Sequence, residues 1–163
     1  MKWKKKEAEK EMERVMKDWK SQAIGLPAQF SGVIQDSASS ATLAAVLTMR
    51  ERALNWQGNQ AGLSGAVRLR IYCSAEVHTS VDRAIWVSGV GQDNLVRIPI
   101  AGKLRGMDPV ALKAAIQADI AAGYRPAGII ACTGGTGTGA CDDLTEVVRI
   151  AKEFDLYSHI DAA

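Results

Sequence analysis

The stretch AGIIACTGGTGTGACDDLTEVVRIAKEFDLYSHIDAA, residues 127–163, decides the fold. Its first six residues, Ala127–Cys132, form a short apolar run of the kind that makes a strand buried in a sheet. A glycine-rich loop follows, Gly134–Ala140. Asp143 with Glu146 three residues later then opens a helix in the manner of a capping box, and the helix runs to about Phe154. Leu156–Ile160 is a second strand. Strand, helix and strand at this spacing predict two parallel neighbours. The second strand ends on Asp161, and an acid at the carboxyl end of a strand in an α/β sheet points into the crevice where such folds bind ligands. Ala162 and Ala163 follow, and a chain that stops at its expected site is expected to be one part of a longer machine.

Working outward, the same alternation extends upstream. Val67, Leu69, Ile71 and Cys73 alternate with Arg68, Arg70 and Tyr72 as in a strand, a helix follows over 80–87, and a short strand over 95–98. Asp108-Pro109 supplies an N-cap and a first-turn proline for a helix to about Ala122, which Gly123 stops. Ser37-Ala38-Ser39-Ser40 precedes a helix over 41–56, and 58–65 reads as a loop. The predicted fold class is therefore α/β, a three-layer, mostly parallel sheet. The first 24 residues stand apart as an amphipathic helix, regular from Lys4 to Lys20 with Met12, Val15, Met16 and Trp19 on one face. Gly25-Leu26-Pro27 breaks it before a short extended stretch over 30–34. The domain reading is thus 1–24 as this helix and 25–163 as the sheet-bearing part.

Composition removes several function classes. At 163 residues and 47% hydrophobic content the chain can build one real core, and a net charge of +2 gives no bulk attraction to nucleic acid. Lys2, Lys4, Lys5, Lys6 and Lys10 do cluster, but Glu7, Glu9, Glu11 and Glu13 interleave with them as on a solvated helix face. The three cysteines, Cys73, Cys132 and Cys141, have no metal-site spacing. They read as reduced thiols of a cytoplasmic protein, the first two in apolar runs and the third in the glycine-rich loop. No apolar stretch is long enough to span a bilayer, and the N-terminus lacks the apolar region of a secretion signal. No metal site is expected.

Four places carry candidate chemistry. Ser37, Ala38 and Ser39 at a helix N-terminus offer backbone N–H groups and hydroxyls to an anion, or are an ordinary serine cap. His78 follows a strand, where an imidazole stacks on a planar ligand or exchanges a proton, or is simply a surface histidine. His159 either shares the face of Asp161 or packs at the strand end. The loop holding Gly135, Gly137 and Ala140 satisfies a loose dinucleotide fingerprint, with Asp161 about 20 residues on. Asp142 and Asp143 oppose that reading, because they stand where a pyrophosphate would sit. One ligand unites the other places: a planar, phosphorylated nitrogen heterocycle, its phosphate at the serine helix, its ring on His78 and its ring nitrogen at Asp161. A carboxylate keeps such a nitrogen protonated, and the protonated ring becomes an electron sink, as in pyridoxal 5′-phosphate.

Several segments resemble the pyridoxal-phosphate-dependent group II amino-acid decarboxylases of the aromatic-L-amino-acid type. They are FSGVIQDSASSATLAAVLTMRE (30–51), IYCSAEVHTSVDRAIW (71–86), ACTGGTGTGACDDL (131–144) and HIDAA (159–163), in the family's order. The resemblance covers roughly residues 15–163. It implies part of the large domain of an aspartate-aminotransferase-like, fold type I enzyme, a homodimer that decarboxylates an L-amino acid, expected to be aromatic, to its amine. Within it, Ser37, Ala38 and Ser39 correspond to the phosphate turn. His78 corresponds to the histidine stacked on the ring, Thr136 to a threonine near the cofactor, and Asp161 to the pyridinium partner. Ala163 corresponds to the small residue against the ring's other face, and Asp142 to an aspartate supporting the site. His78 and Asp161 are the residues assigned to catalysis. The family's Schiff-base lysine lies downstream of the HIDAA motif, so the 163 residues alone are expected to be inactive. Two alternatives stand beside this: a non-catalytic truncated module, and a Rossmann-type dinucleotide-binding fragment.

Overall fold

The computed structural model describes residues 2–27 and 29–163. The chain divides into two units, Met1–Asp36 and Ser37–Ala163, each described by itself. In the first, helix α1 (Lys2–Ala23) is longer at both ends than the predicted 4–20, because Lys2 before it and Gln22 and Ala23 after it are good helix formers. Arg14 pairs with Glu11 at 2.6 Å and with Asp18 at 3.0 Å on the helix surface. Gly25 (φ 70°) takes the left-handed conformation, and the Leu26 N–H returns to the Ser21 carbonyl, which closes the helix. Residues 30–35 are neither helix nor strand, and the Ile34 N–H donates to Glu13 at 3.4 Å. Within this unit Met12, Met16 and Trp19 are exposed and Val15 is half-buried. The side chains of Lys2, Lys4, Lys5 and Lys6, on which the basic cluster rests, lie outside the described part.

The second unit is a three-layer α/β sandwich. Strands β1 (Leu69–Ser74), β2 (Leu95–Ile98), β5 (Arg125–Cys132) and β6 (Tyr157–Asp161) form one sheet in the order β2-β1-β5-β6. Every pairing in it is parallel. Helices α2 (Ala38–Ala53) and α4 (Ser80–Val87) cover one face, burying Val46, Met49, Val81 and Ile85 against Ile71, Cys73 and Ile130. Helices α5 (Pro109–Ala121) and α6 (Leu144–Glu153) cover the other, burying Leu112, Ile116, Val147 and Ile150 against Tyr72, Ile129 and Ala131. Alternate residues of β1 and β5 thus feed opposite cores, which is why these strands are apolar throughout.

Close approach explains Gly128. A Cβ there would meet the Met49 Cγ and Sδ at 2.6 Å and the Tyr157 carbonyl oxygen at 2.9 Å, so the glycine lets α2 lie directly on β5.

Several boundaries differ from the sequence reading for local reasons. Helix α2 stops at Ala53 rather than near Trp56, because Asn55 (φ 52°) and Trp56 (φ 61°) turn left-handed. The predicted loop 58–65 contains a short helix, α3 (Gly58–Ala61), folded around the buried Glu51, whose carboxylate accepts the Asn59 N–H at 3.1 Å. Asp143 caps α6 through the Glu146 N–H at 3.1 Å. Glu146 does not return the bond, since its carboxylate is taken by Arg149, so only half of the expected capping box exists. A two-stranded antiparallel hairpin, β3 (Ile100–Ala101) and β4 (Gly106–Met107), was not legible at all.

Candidate active site

Strand direction decides where the candidate residues gather. The carboxyl ends of β1, β5 and β6 lie side by side, with Cys132 of β5 in register with Asp161 of β6. The loops that leave these ends, together with the N-terminus of α2, enclose a cleft of about 110 Å³. Its walls include Ala38 and Ser39 from α2, His78 from the loop after β1 and Ser80 from the start of α4. Gly135 and Thr136 come from the glycine-rich loop, while Cys132, Asp161 and Ala163 form the sheet side. Six of the sequence-predicted residues, Ala38, Ser39, His78, Thr136, Asp161 and Ala163, therefore meet in one place. A larger cleft, of about 280 Å³ between Arg52, Arg125 and Asp155, lies at the other end of β5 and contains none of them.

Ser37 and Asp142 do not line this cleft. Ser37 is extended (φ −158°, ψ 162°) and its Oγ accepts the Ser40 N–H at 3.2 Å, the geometry of an N-cap. It thereby fixes the helix end that Ser39 occupies. Among the described residues the Ser39 and Thr136 hydroxyls take no hydrogen-bond partner, which leaves both available to a ligand. Asp142 is buried, and its two carboxylate oxygens accept the Met107 and Cys132 N–H groups, each at 2.6 Å. It ties the carboxyl end of β5 to β4 and lines a separate cleft beside the hairpin.

The electrostatics of the cleft are polarised. The positive end of α2 faces it from one side and the Asp161 carboxylate from another, with no Lys or Arg side chain on its walls among the described residues. One Asp161 oxygen accepts the Ala163 N–H at 3.3 Å. At His78, Nδ1 accepts the Ser80 N–H at 3.2 Å and lies 3.0 Å from the Ser80 Oγ. That acceptor role puts the proton of the neutral ring on Nε2 and fixes the ring's orientation at the start of α4. His159 has the same strand parity as Asp161, on the side where Tyr157 packs against the α2 core. Burial lowers its pKa and outweighs the opposing pull of Asp161.

The three cysteines are free thiols, with Cys73 and Cys132 buried and Cys141 partly accessible. Burial pushes the Cys73 thiol up to about 12, and Cys132 is raised by burial and by Asp161 and Asp142. Neither is a nucleophile near neutrality. Among the described residues no cluster of His, Cys, Asp and Glu has the makings of a metal site, and no helix is long and apolar enough to cross a membrane. The glycine-rich loop does not present a pyrophosphate seat: at the start of α6 the Asp143 carboxylate already takes the Glu146 N–H.

Sequence reasoning missed Ser80, Gly135 and Cys132 as cleft residues. It also missed Glu76, whose carboxylate bonds the Thr138 hydroxyl at 2.9 Å and Arg105 Nε at 3.1 Å. The first three sit beside motif residues and were legible as neighbours. Glu76 depends on the hairpin that had no sequence signal.

The chain is 40% identical over 165 residues to an aromatic-L-amino-acid decarboxylase of Sus scrofa, an alignment covering 94% of this chain and 33% of that protein. A crystal structure of Catharanthus roseus tryptophan decarboxylase in complex with L-tryptophan superposes with a TM-score of 0.88 at 32% identity, covering 99% of this chain and 35% of the other. A crystal structure of Oryza sativa TDC with PLP and tryptamine gives a TM-score of 0.83 at 31% identity, covering 94% and 34%. The chain thus spans about a third of the length of these relatives, and its sandwich is the corresponding part of their fold type I architecture. The pyridoxal-dependent decarboxylase conserved domain matches residues 1–163, and the chain belongs to the pyridoxal-dependent decarboxylase family.

Proposed function

We propose that these residues form the cofactor-binding part of an enzyme that decarboxylates an aromatic L-amino acid with pyridoxal 5′-phosphate. The observation that carries this reading is the convergence of Ser39, His78, Thr136 and Asp161 on one cleft at the carboxyl ends of parallel strands. The donor set fits the cofactor. A phosphate dianion is met by the N–H groups and hydroxyls at the start of α2, a cationic ring nitrogen by the Asp161 carboxylate. When bound, the cofactor would supply an electron sink for decarboxylation at Cα, with Asp161 holding its ring nitrogen protonated.

In this reading Ala38 and Ser39 of the predicted phosphate turn hold the phosphate, and Ser37 acts as the cap that keeps the turn in place. Asp161 holds the proton at the pyridine nitrogen, and its charge favours the protonated ring in a partly enclosed site. His78, its orientation set by Ser80, would hold one face of the ring, and the small Ala163 would leave room for the other. Thr136 presents its hydroxyl from the glycine-rich loop. Asp142 acts at one remove, by fixing the end of β5 from which that loop departs. Residues 1–24 and 25–163 correspond to a dimer-contact helix and a partial large domain. The exposed Met12, Met16 and Trp19 support a homodimer, and the three free thiols support a cytoplasmic setting. The proposal includes a Schiff-base lysine supplied from outside these 163 residues, in keeping with cleft walls that carry no lysine among the described residues.

The test is release of carbon dioxide and amine from L-tryptophan, L-tyrosine and L-DOPA. An intact protein containing these residues should decarboxylate at least one of them, with Asp161→Ala lowering kcat about 100-fold or more. The 163-residue polypeptide alone should release none. Steady turnover by that polypeptide, or full activity of the Asp161 variant, contradicts the reading.

A further inference from the structure

Three segments around the cleft are joined by a single side chain. Glu76 stands two residues before His78 in the loop that leaves β1. Its Oε2 accepts the Thr138 hydroxyl at 2.9 Å, and Thr138 lies two residues after Thr136 in the glycine-rich loop. The same carboxylate pairs with the Arg105 guanidinium at the end of the β3–β4 hairpin, with Arg105 Nε at 3.1 Å from Oε2 and an Nη2–Oε1 bond completing the fork. The hairpin is in turn tied to the far end of the glycine-rich loop, through the Cys141 N–H to the Leu104 carbonyl at 3.0 Å. Arg105 and Thr138 together hold the Glu76 carboxyl below the usual carboxylate range.

Apart from this tie, the loop 134–140 is held by little. It contains four glycines, and its other bonds are backbone contacts, such as Gly135 N–H to Ala140 and Gly139 N–H to Gly135, and those of Cys141 Sγ, which accepts the Gly134 N–H at 3.3 Å and donates to the Gly139 carbonyl at 3.6 Å. A loop so rich in glycine has much conformational freedom to lose on ordering. A side-chain bond that restricts it therefore acts on whatever the loop presents.

We propose that Glu76 is a positioning residue, a clasp that holds the glycine-rich loop so that Thr136 faces the cofactor. This rests on the cofactor reading above and deepens it. Glu76 does not itself touch the cleft. It acts through Thr138 on one side and, by chain continuity, on His78 on the other.

Two measurements on the 163-residue chain test this separately from the parent reading. The first needs no cofactor: hydrogen exchange of the Gly135, Thr138 and Gly139 amides in wild type, Glu76→Ala, Thr138→Val and the double variant. Each single variant should speed exchange about three- to tenfold, the double no more than either alone. The second is the dissociation constant for pyridoxal 5′-phosphate, read by absorbance. It should weaken by a similar factor in each variant, again without additivity, while Tm moves little because Thr138 is exposed and Glu76 is only half-buried. Unchanged exchange, or effects of the two substitutions that simply add, overturns the clasp. Wild-type binding that is lost in Asp161→Ala but unaltered in Glu76→Ala overturns the clasp and leaves the cofactor reading intact. Absence of wild-type binding with accelerated loop exchange in both variants supports the clasp on the loop and counts against the cofactor reading.

Discussion

Asp142 gathers two backbone N–H groups onto one buried carboxylate, each at 2.6 Å. In Asp142→Ala both donors lose their partner inside the fold, at about 1–3 kcal/mol apiece, so urea denaturation should show about 2–6 kcal/mol less stability. A loss under 1 kcal/mol would mean that water replaces the carboxylate. His159 makes a prediction about pH. Burial depresses its pKa below the value in the unfolded chain, so the unfolded state binds the proton more readily. Its contribution is fully present above the unfolded value, near 6.5, and is lost as pH falls through that value toward the folded one. Tm should therefore fall between about pH 7 and pH 5, and His159→Asn should flatten that part of the profile. An identical slope in the variant would assign the dependence to other groups.

At the scale of elements, the strand–helix alternation over 127–163 was legible because caps and buried apolar runs act locally. Ser37, Asp108 and Asp143 all cap the helices they were expected to start. The hairpin was not legible. It comprises two residues per strand, and its place depends on Gly106, where a Cβ would lie 2.5 Å from the Cys141 carbonyl oxygen. Such a contact between residues 35 apart leaves no periodic trace. The candidate site was mostly legible, since its residues sit in motifs at strand ends. Ser37 and Asp142 illustrate the remainder: type and position identified them, but only the fold separates a cap and a backbone anchor from a cleft wall. Gly128 offers a test of layer packing. Gly128→Ala should cost about 2–4 kcal/mol through overlap with Met49 and the Tyr157 backbone, and adding Met49→Ala should restore only part, because the carbonyl cannot withdraw. Equal stability of Gly128→Ala and wild type would show that α2 is free to move away.

For the whole molecule, β2 and β6 are the edges of the four-stranded sheet, and β6 is only half-buried along its length. Unpaired edges and exposed apolar side chains favour association, and the proposed homodimer should appear in sedimentation at micromolar concentration. A single monomeric species would contradict it. The central claim is that the cleft binds pyridoxal 5′-phosphate by opposing the start of α2 to Asp161. The most direct measurement is an equilibrium titration of the 163-residue chain with that cofactor, followed by absorbance, beside Ser39→Ala and Asp161→Ala variants of matched Tm. Saturable, reversible binding is expected, weakened about 10- to 100-fold in Asp161→Ala by loss of the charge-assisted bond to the ring nitrogen, and less in Ser39→Ala. Wild-type binding that neither substitution alters, or no saturable binding at millimolar cofactor, would contradict the claim.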